Sequence, residues 1–183
     1  MHKLYIYRAK PNPLGKGARI DRPQPEQLLG EWVDLQNISN QPVSVRGLWL
    51  AHHEVAGDGT SKPEYTCYWQ AHYSDDLHPG QVLRVHTGKS ADWKLAHTED
   101  QEGAEFFAFA GKSSFVLNYP HGDTITLWSK DSKNEWVLED MVSYGPELPE
   151  GAVLTRTGDK LIVGMADSMR AIRTRTVQLN PPQ

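Results

Sequence analysis

The chain has 183 residues, 38 % hydrophobic and 23 % charged, enough apolar material for one folded domain and too much for wholesale disorder. A formal net charge of -4 excludes global attraction to nucleic acid or anionic membrane and leaves such contacts to local patches. The single cysteine, Cys67, excludes an intramolecular disulfide and any four-cysteine zinc site.

In chain order, His2 to Ala9 alternates and predicts an opening strand, with Leu4, Ile6 and Arg8 on one face. PNPLGKG (Pro11 to Gly17) ends it, because proline cannot donate to a ladder. A second proline pair, Pro23 and Pro25, leads to GEWVDLQNIS (Gly30 to Ser39), a half-buried strand with Val33 and Leu35 inward and Trp32, Asp34 and Gln36 opposite. After the turn NQP, Val43 to Leu50 predicts a strand with Leu48 and Leu50 on one side and Trp49 on the other. Ala51 to Glu64 is rich in glycine and polar residues and reads as a loop. Tyr65 to Tyr73, Val82 to His86 and Phe106 to Phe109 follow as strands, with the Pro79-Gly80 turn before the second.

The clearest signal is a hairpin. Asp123 to Trp128 alternates, Ser129 to Asn134 is turn-forming or charged, and Trp136 to Tyr144 returns. Ile125 and Leu127 are expected to face a core, with Thr124, Thr126 and Trp128 on the far side. Beyond Gly145, Val153 to Thr155 and Lys160 to Val163 flank a TGD turn, Asp167 or Ser168 suits the start of a single helical turn, and Thr174 to Leu179 alternates again. Short strands between turn residues, with almost no helical period, predict an all-β sandwich or barrel. No apolar run reaches the roughly 18 residues of a membrane span, and the N-terminus lacks the apolar stretch of a secretory signal, so a cytoplasmic location and no membrane contact are expected.

Candidate chemistry is sparse. His52-His53-Glu54 is the most metal-like cluster and motivates a metal-dependent hydrolase as an alternative, yet neighbours on a strand point oppositely, so a solvated loop is the favoured reading and no metal or cofactor is expected. The acidic pairs Asp75-Asp76 and Glu99-Asp100 with Glu102 lack the spacing of a calcium loop. Cys67, between aromatics, reads as a buried small hydrophobe rather than a reactive thiol. Six tryptophans exceed the needs of a core, and Trp32, Trp49 and Trp128 lie opposite the aliphatic faces of their strands, which marks them as candidate protein-binding residues. Arg170, Arg173 and Arg175 form a basic run that motivates nucleic-acid or polyanion binding as a further alternative, not the favoured one.

The blocks GEWVDLQN (Gly30 to Asn37), VRGLWL (Val45 to Leu50), LHPGQVLRVHTG (Leu77 to Gly88), LNYPHGDTITLW (Leu117 to Trp128) and MVSYG (Met141 to Gly145), in that order, resemble the lamin tail domain family over roughly Ile20 to Gly145. The resemblance implies an immunoglobulin-like two-sheet antiparallel β-sandwich over residues 1-145, with 146-183 as a C-terminal extension packing on or pairing with it. It also implies a non-catalytic interaction module, since members of that family contact proteins and in some cases DNA. The chain has no coiled-coil rod, so a filament role does not carry over. The expected partner is another protein or a second copy, met through sheet edges and exposed aromatics.

Overall fold

A computed structural model describes residues 3–56, 58–72 and 75–164. Its elements are β1 (Leu4–Lys10), α1 (Pro25–Gly30), β2 (Trp32–Asn37), β3 (Val43–Ser44), β4 (Trp49–Val55), β5 (Ser61–Gln70), β6 (Asp76–Leu77), β7 (Val82–His86), a 3-10 helix (Ser90–Leu95), α2 (Thr98–Gln101), β8 (Phe106–Phe109), β9 (Asp123–Lys130), β10 (Trp136–Tyr144), β11 (Leu154–Thr157) and β12 (Lys160–Val163). The β-rich class expected from the alternation is what the chain adopts.

Ten strands form one sheet in the order β5-β4-β9-β10-β12-β11-β1-β2-β7-β8, which curls until it nearly closes into a barrel, while β3 and β6 pair separately. The β11–β12 hairpin lies between β10 and β1, so the segment just after Gly145 is part of the sheet. β1 also faces β10 without pairing to it: the Ile6 amide donates to Asp140 Oδ2 at 2.7 Å, and the Arg156 guanidinium of β11 closes on the same carboxylate.

Val33, Leu35, Leu48, Leu50, Ile125 and Leu127 all enter one buried cluster, joined by Leu4, Ile6, Val85, Leu117, Val142 and Leu154. Each such side chain, fully buried, contributes about 1.5–3 kcal/mol. Bulges account for departures from strict alternation. In β1 the register shifts between Ile6 and Arg8, which turns Ala9 inward and releases Arg8 from the core face it was expected to share.

One expectation is corrected and one element added. Of Ala51 to Glu64 only the connection between Val55 and Ser61 is a turn: β4 runs through His52, His53 and Glu54, and β5 starts at Ser61, because β4 is paired on both sides and its polar residues find partners there. The second proline pair opens α1, an element that the alternation did not mark. Pro25 occupies its first turn, where no amide donor is missed, and the Gln27 side chain accepts from the Gln24 amide at 2.9 Å. Asp167, Ser168 and the Thr174 to Leu179 alternation lie outside the described residues.

Candidate interaction surface

On β9 the odd-numbered Ile125 and Leu127 are wholly buried, which sends Thr124, Thr126 and Trp128 to the outer face. Trp128 is flanked by Trp49 on β4 and Leu138 on β10 as direct cross-strand partners, so the three side chains stand on one side of the sheet. The Trp136 ring closes on Trp49 with centroids 3.8 Å apart. Trp128 Nε1 donates to Thr126 Oγ1 at 2.8 Å, which fixes the indole along its own strand.

The row continues past Leu138. A bulge between Leu138 and Asp140 inserts Glu139, so Met141, which plain alternation from Trp136 would turn inward, joins the outer face opposite Thr126. Tyr65 on β5 places its hydroxyl 3.8 Å from Met141 Sδ. Trp136 is 38 % exposed, Leu138 37 %, Tyr65 41 % and Met141 49 %. A contiguous apolar strip with this much exposure across β5-β4-β9-β10 is unusual unless it is covered by something. Trp49 and Trp128 are brought together in it.

Trp32 is not part of it. It is 2 % exposed, with the Arg84 guanidinium 3.6 Å over its ring and its indole donating to Asp100 Oδ1 at 2.8 Å, so the expected protein-binding role is physically closed to it. Asp34, on the same face of β2, is buried too. Arg84 binds Asp34 through Nε and Nη2 at 2.7 and 2.9 Å and the carbonyls of Asp100 and Glu102 through Nη1, Arg8 joins Asp34 at 2.9 Å, and Lys10 reaches Asp100 at 2.7 Å. Within the acidic stretch Glu99-Asp100-Glu102, Asp100 is a structural anchor at 1 % exposure, and Asp75 and Asp76 are exposed.

The histidine cluster also separates. His52 is buried and donates through Nδ1 to Asp123 Oδ2 at 2.9 Å, which a carboxylate already accepting three amides requires; His53 turns out against Tyr65, and Glu54 pairs with Lys62 at 2.5 Å. Among the described residues no group of three His, Cys, Asp or Glu side chains is placed to hold a metal ion. The amides of His53, Asn118 and Thr124 occupy Asp123, so the His52–Asp123 pair resembles a general-base dyad only in outline. Burial pushes the Cys67 thiol up, away from an activated thiolate.

Arg170, Arg173 and Arg175 lie outside the described residues. Sequence reasoning missed Trp136, Leu138, Met141 and Tyr65. The signal was present as the run Trp136-Val137-Leu138, three large apolar residues beside a turn, which no half-buried strand accommodates without exposing some of them.

No known family model and no curated protein matches this sequence. Among the described residues no helix is long and apolar enough to cross a membrane.

Proposed function

We propose that the chain is a non-catalytic intracellular interaction module that binds a protein partner through the outer face of β4, β9 and β10. One observation carries the reading: Trp49, Trp128, Trp136, Leu138 and Met141 form a continuous apolar row in which Trp136, Leu138 and Met141 are exposed and Trp49 and Trp128 half-buried. Buried aromatic anchors dominate the energetics of protein interfaces, and here the aromatic anchors are already held rigid by one another. The exposed edge strand β5, beside this face, offers main-chain donors and acceptors to an extended partner segment.

The immunoglobulin-like, lamin-tail arrangement belongs to the same proposal. In it β1-β2-β7-β8 and β5-β4-β9-β10 are the two layers and the β11–β12 hairpin bridges them. Support comes from the five resembling blocks, which fall on β2, β4, β7, β9 and β10 with their connecting turns.

Selection from a displayed random-peptide library, followed by calorimetry on the winners, tests the binding role. Trp136→Ala and Leu138→Ser should each weaken the selected peptides by about 2 kcal/mol or more. Ile162→Ser, which alters a still more exposed apolar residue on β12, should leave them unchanged. Binders indifferent to both substitutions on the face would overturn the assignment. If a second copy is the occupant, sedimentation at rising concentration will show a dimer that the same two substitutions abolish.

A further inference from the structure

A cavity of about 380 Å³ opens at one end of the fold between the start of β1, the β3 segment and the β9–β10 hairpin. Leu4, Val43 and Leu48 form its apolar wall, and Leu4 and Leu48 are 3 % and 4 % exposed, so the wall is continuous with the core. Lys3, Arg46 and Lys130 line it as well, and all three are exposed. Its one carboxylate, Glu139, accepts from the Ser129 hydroxyl and keeps its negative charge, so the lining carries three cations against one anion.

The three cations are not equivalent. Lys130 donates to Asn134 Oδ1 at 2.9 Å and lies 5.0 Å from the Trp136 ring centroid. Lys3 and Arg46 have no acidic partner among the described residues. The 240 Å³ cavity between Val45, Leu77, Leu83 and Phe106 has the opposite character, with Asp75 as its charged residue. A cavity of small-molecule size with an apolar wall and a net excess of positive charge in its lining is complementary to one kind of ligand.

We propose that this cavity binds an organic anion with a short apolar chain, its tail against Leu4, Val43 and Leu48 and its carboxylate or phosphate between Lys3 and Arg46. The site adjoins the aromatic face at Lys130, which lies over Trp136, but its two anion-binding cations, Lys3 and Arg46, are not part of that face, and the proposal stands whether or not the face binds protein. The apolar tail supplies area-dependent affinity, and the cations supply selectivity for charge. Because the cations are exposed, binding weakens as salt rises.

Calorimetric titration of the whole chain with octanoate and with octyl phosphate tests it, with 1-octanol and octyltrimethylammonium as neutral and cationic controls of matched tail. The anions should bind at least about tenfold tighter than either control, and the better of the two identifies the headgroup. Lys3→Glu and Arg46→Glu change exposed residues and should each weaken the anions about fivefold or more while leaving the circular dichroism spectrum intact. Amide chemical-shift mapping on the unmodified chain gives a second reading, with octanoate expected to move residues 43 to 48 and 129 to 130. Equal binding of octanol and octanoate, charge reversals without effect, shifts confined to other parts of the chain, or no binding of either anion would each overturn the proposal.

Discussion

Glu31 and Asp123 grip the same short stretch of chain from two sides: Glu31 Oε1 accepts from the amides of Val116 and Leu117 at 2.7 and 3.2 Å, and Asp123 Oδ2 accepts from the next amide, Asn118, at 3.1 Å. The connection from β8 to β9 thereby has its buried donors satisfied without regular structure. Lys16 closes the arrangement, its ammonium reaching Glu31 Oε2 at 2.5 Å and the Leu117 carbonyl at 2.5 Å.

Lys16 and Glu31 are 2 % and 0 % exposed, and removing one partner leaves the other charge buried alone. Lys16→Met and Glu31→Gln should each cost about 3–5 kcal/mol in urea unfolding. Glu31→Ala should cost more than Glu31→Gln, because it also orphans two amides and the Thr87 hydroxyl. A loss below about 1 kcal/mol would mean that the pair is not closed to solvent.

Arg84→Lys is the second case. A lysine ammonium cannot bind Asp34 through two nitrogens, reach two carbonyls and stack on Trp32 at once. We expect a loss of about 3 kcal/mol in the unfolding free energy, near the lower bound for breaking a buried pair, and a changed emission from Trp32 in the folded state. Arg8→Lys, at a partly exposed member of the same network, should cost no more than about 1 kcal/mol.

Much of the sheet was legible because period-two alternation is a local property. Val33, Leu35, Ile125 and Leu127 announce their faces within their own strands, and the β9–β10 hairpin follows from the turn residues between them. What escaped was non-local. The strand character of His52, His53 and Glu54 depends on ladders to β5 and β9 and on Asp123, far along the chain. Trp32 looked like a surface tryptophan because nothing near it in sequence reveals Arg84 or Asp100. The aromatic face was half visible: Trp49 and Trp128 stood out by alternation, while Met141 was hidden by a bulge that no residue type marks.

Gly122 and Gly80 offer a matched pair of backbone tests. Both have positive φ, 78° and 81°, so an alanine at either is strained by about 1 kcal/mol. At Gly80 an added Cβ meets nothing within 4 Å, whereas at Gly122 it would lie 2.4 Å from the Tyr144 carbonyl oxygen and 3.0 Å from Gly145 C. Main chain cannot swing aside as a side chain does. Thermal denaturation should therefore show Gly122→Ala destabilised well beyond Gly80→Ala, and equal melting temperatures would refute the close approach of β10 to this turn.

His86 sets an acid limit on stability. Its ring is wholly buried among Trp93, Phe107 and Phe109, with Nδ1 donating to the Leu29 carbonyl at 2.5 Å and Nε2 without a partner. Burial, reinforced by the Arg84 and Lys10 charges, lowers its pKa to about 3 against an ordinary 6.5, even though the Leu29 carbonyl acts the other way. The unfolded chain then binds a proton that the folded chain refuses. Stability from the neutral ring is complete above pH 6.5, declines as pH falls below it, and is lost once pH reaches about 3. A displacement of this size corresponds to about 5 kcal/mol across that window. His86→Phe keeps the aromatic packing and removes the titration, so urea midpoints followed from pH 7 to pH 4 should fall less steeply in the variant than in the parent. Parallel curves over that range would show that His86 takes up its proton without unfolding, and that its cage opens to water.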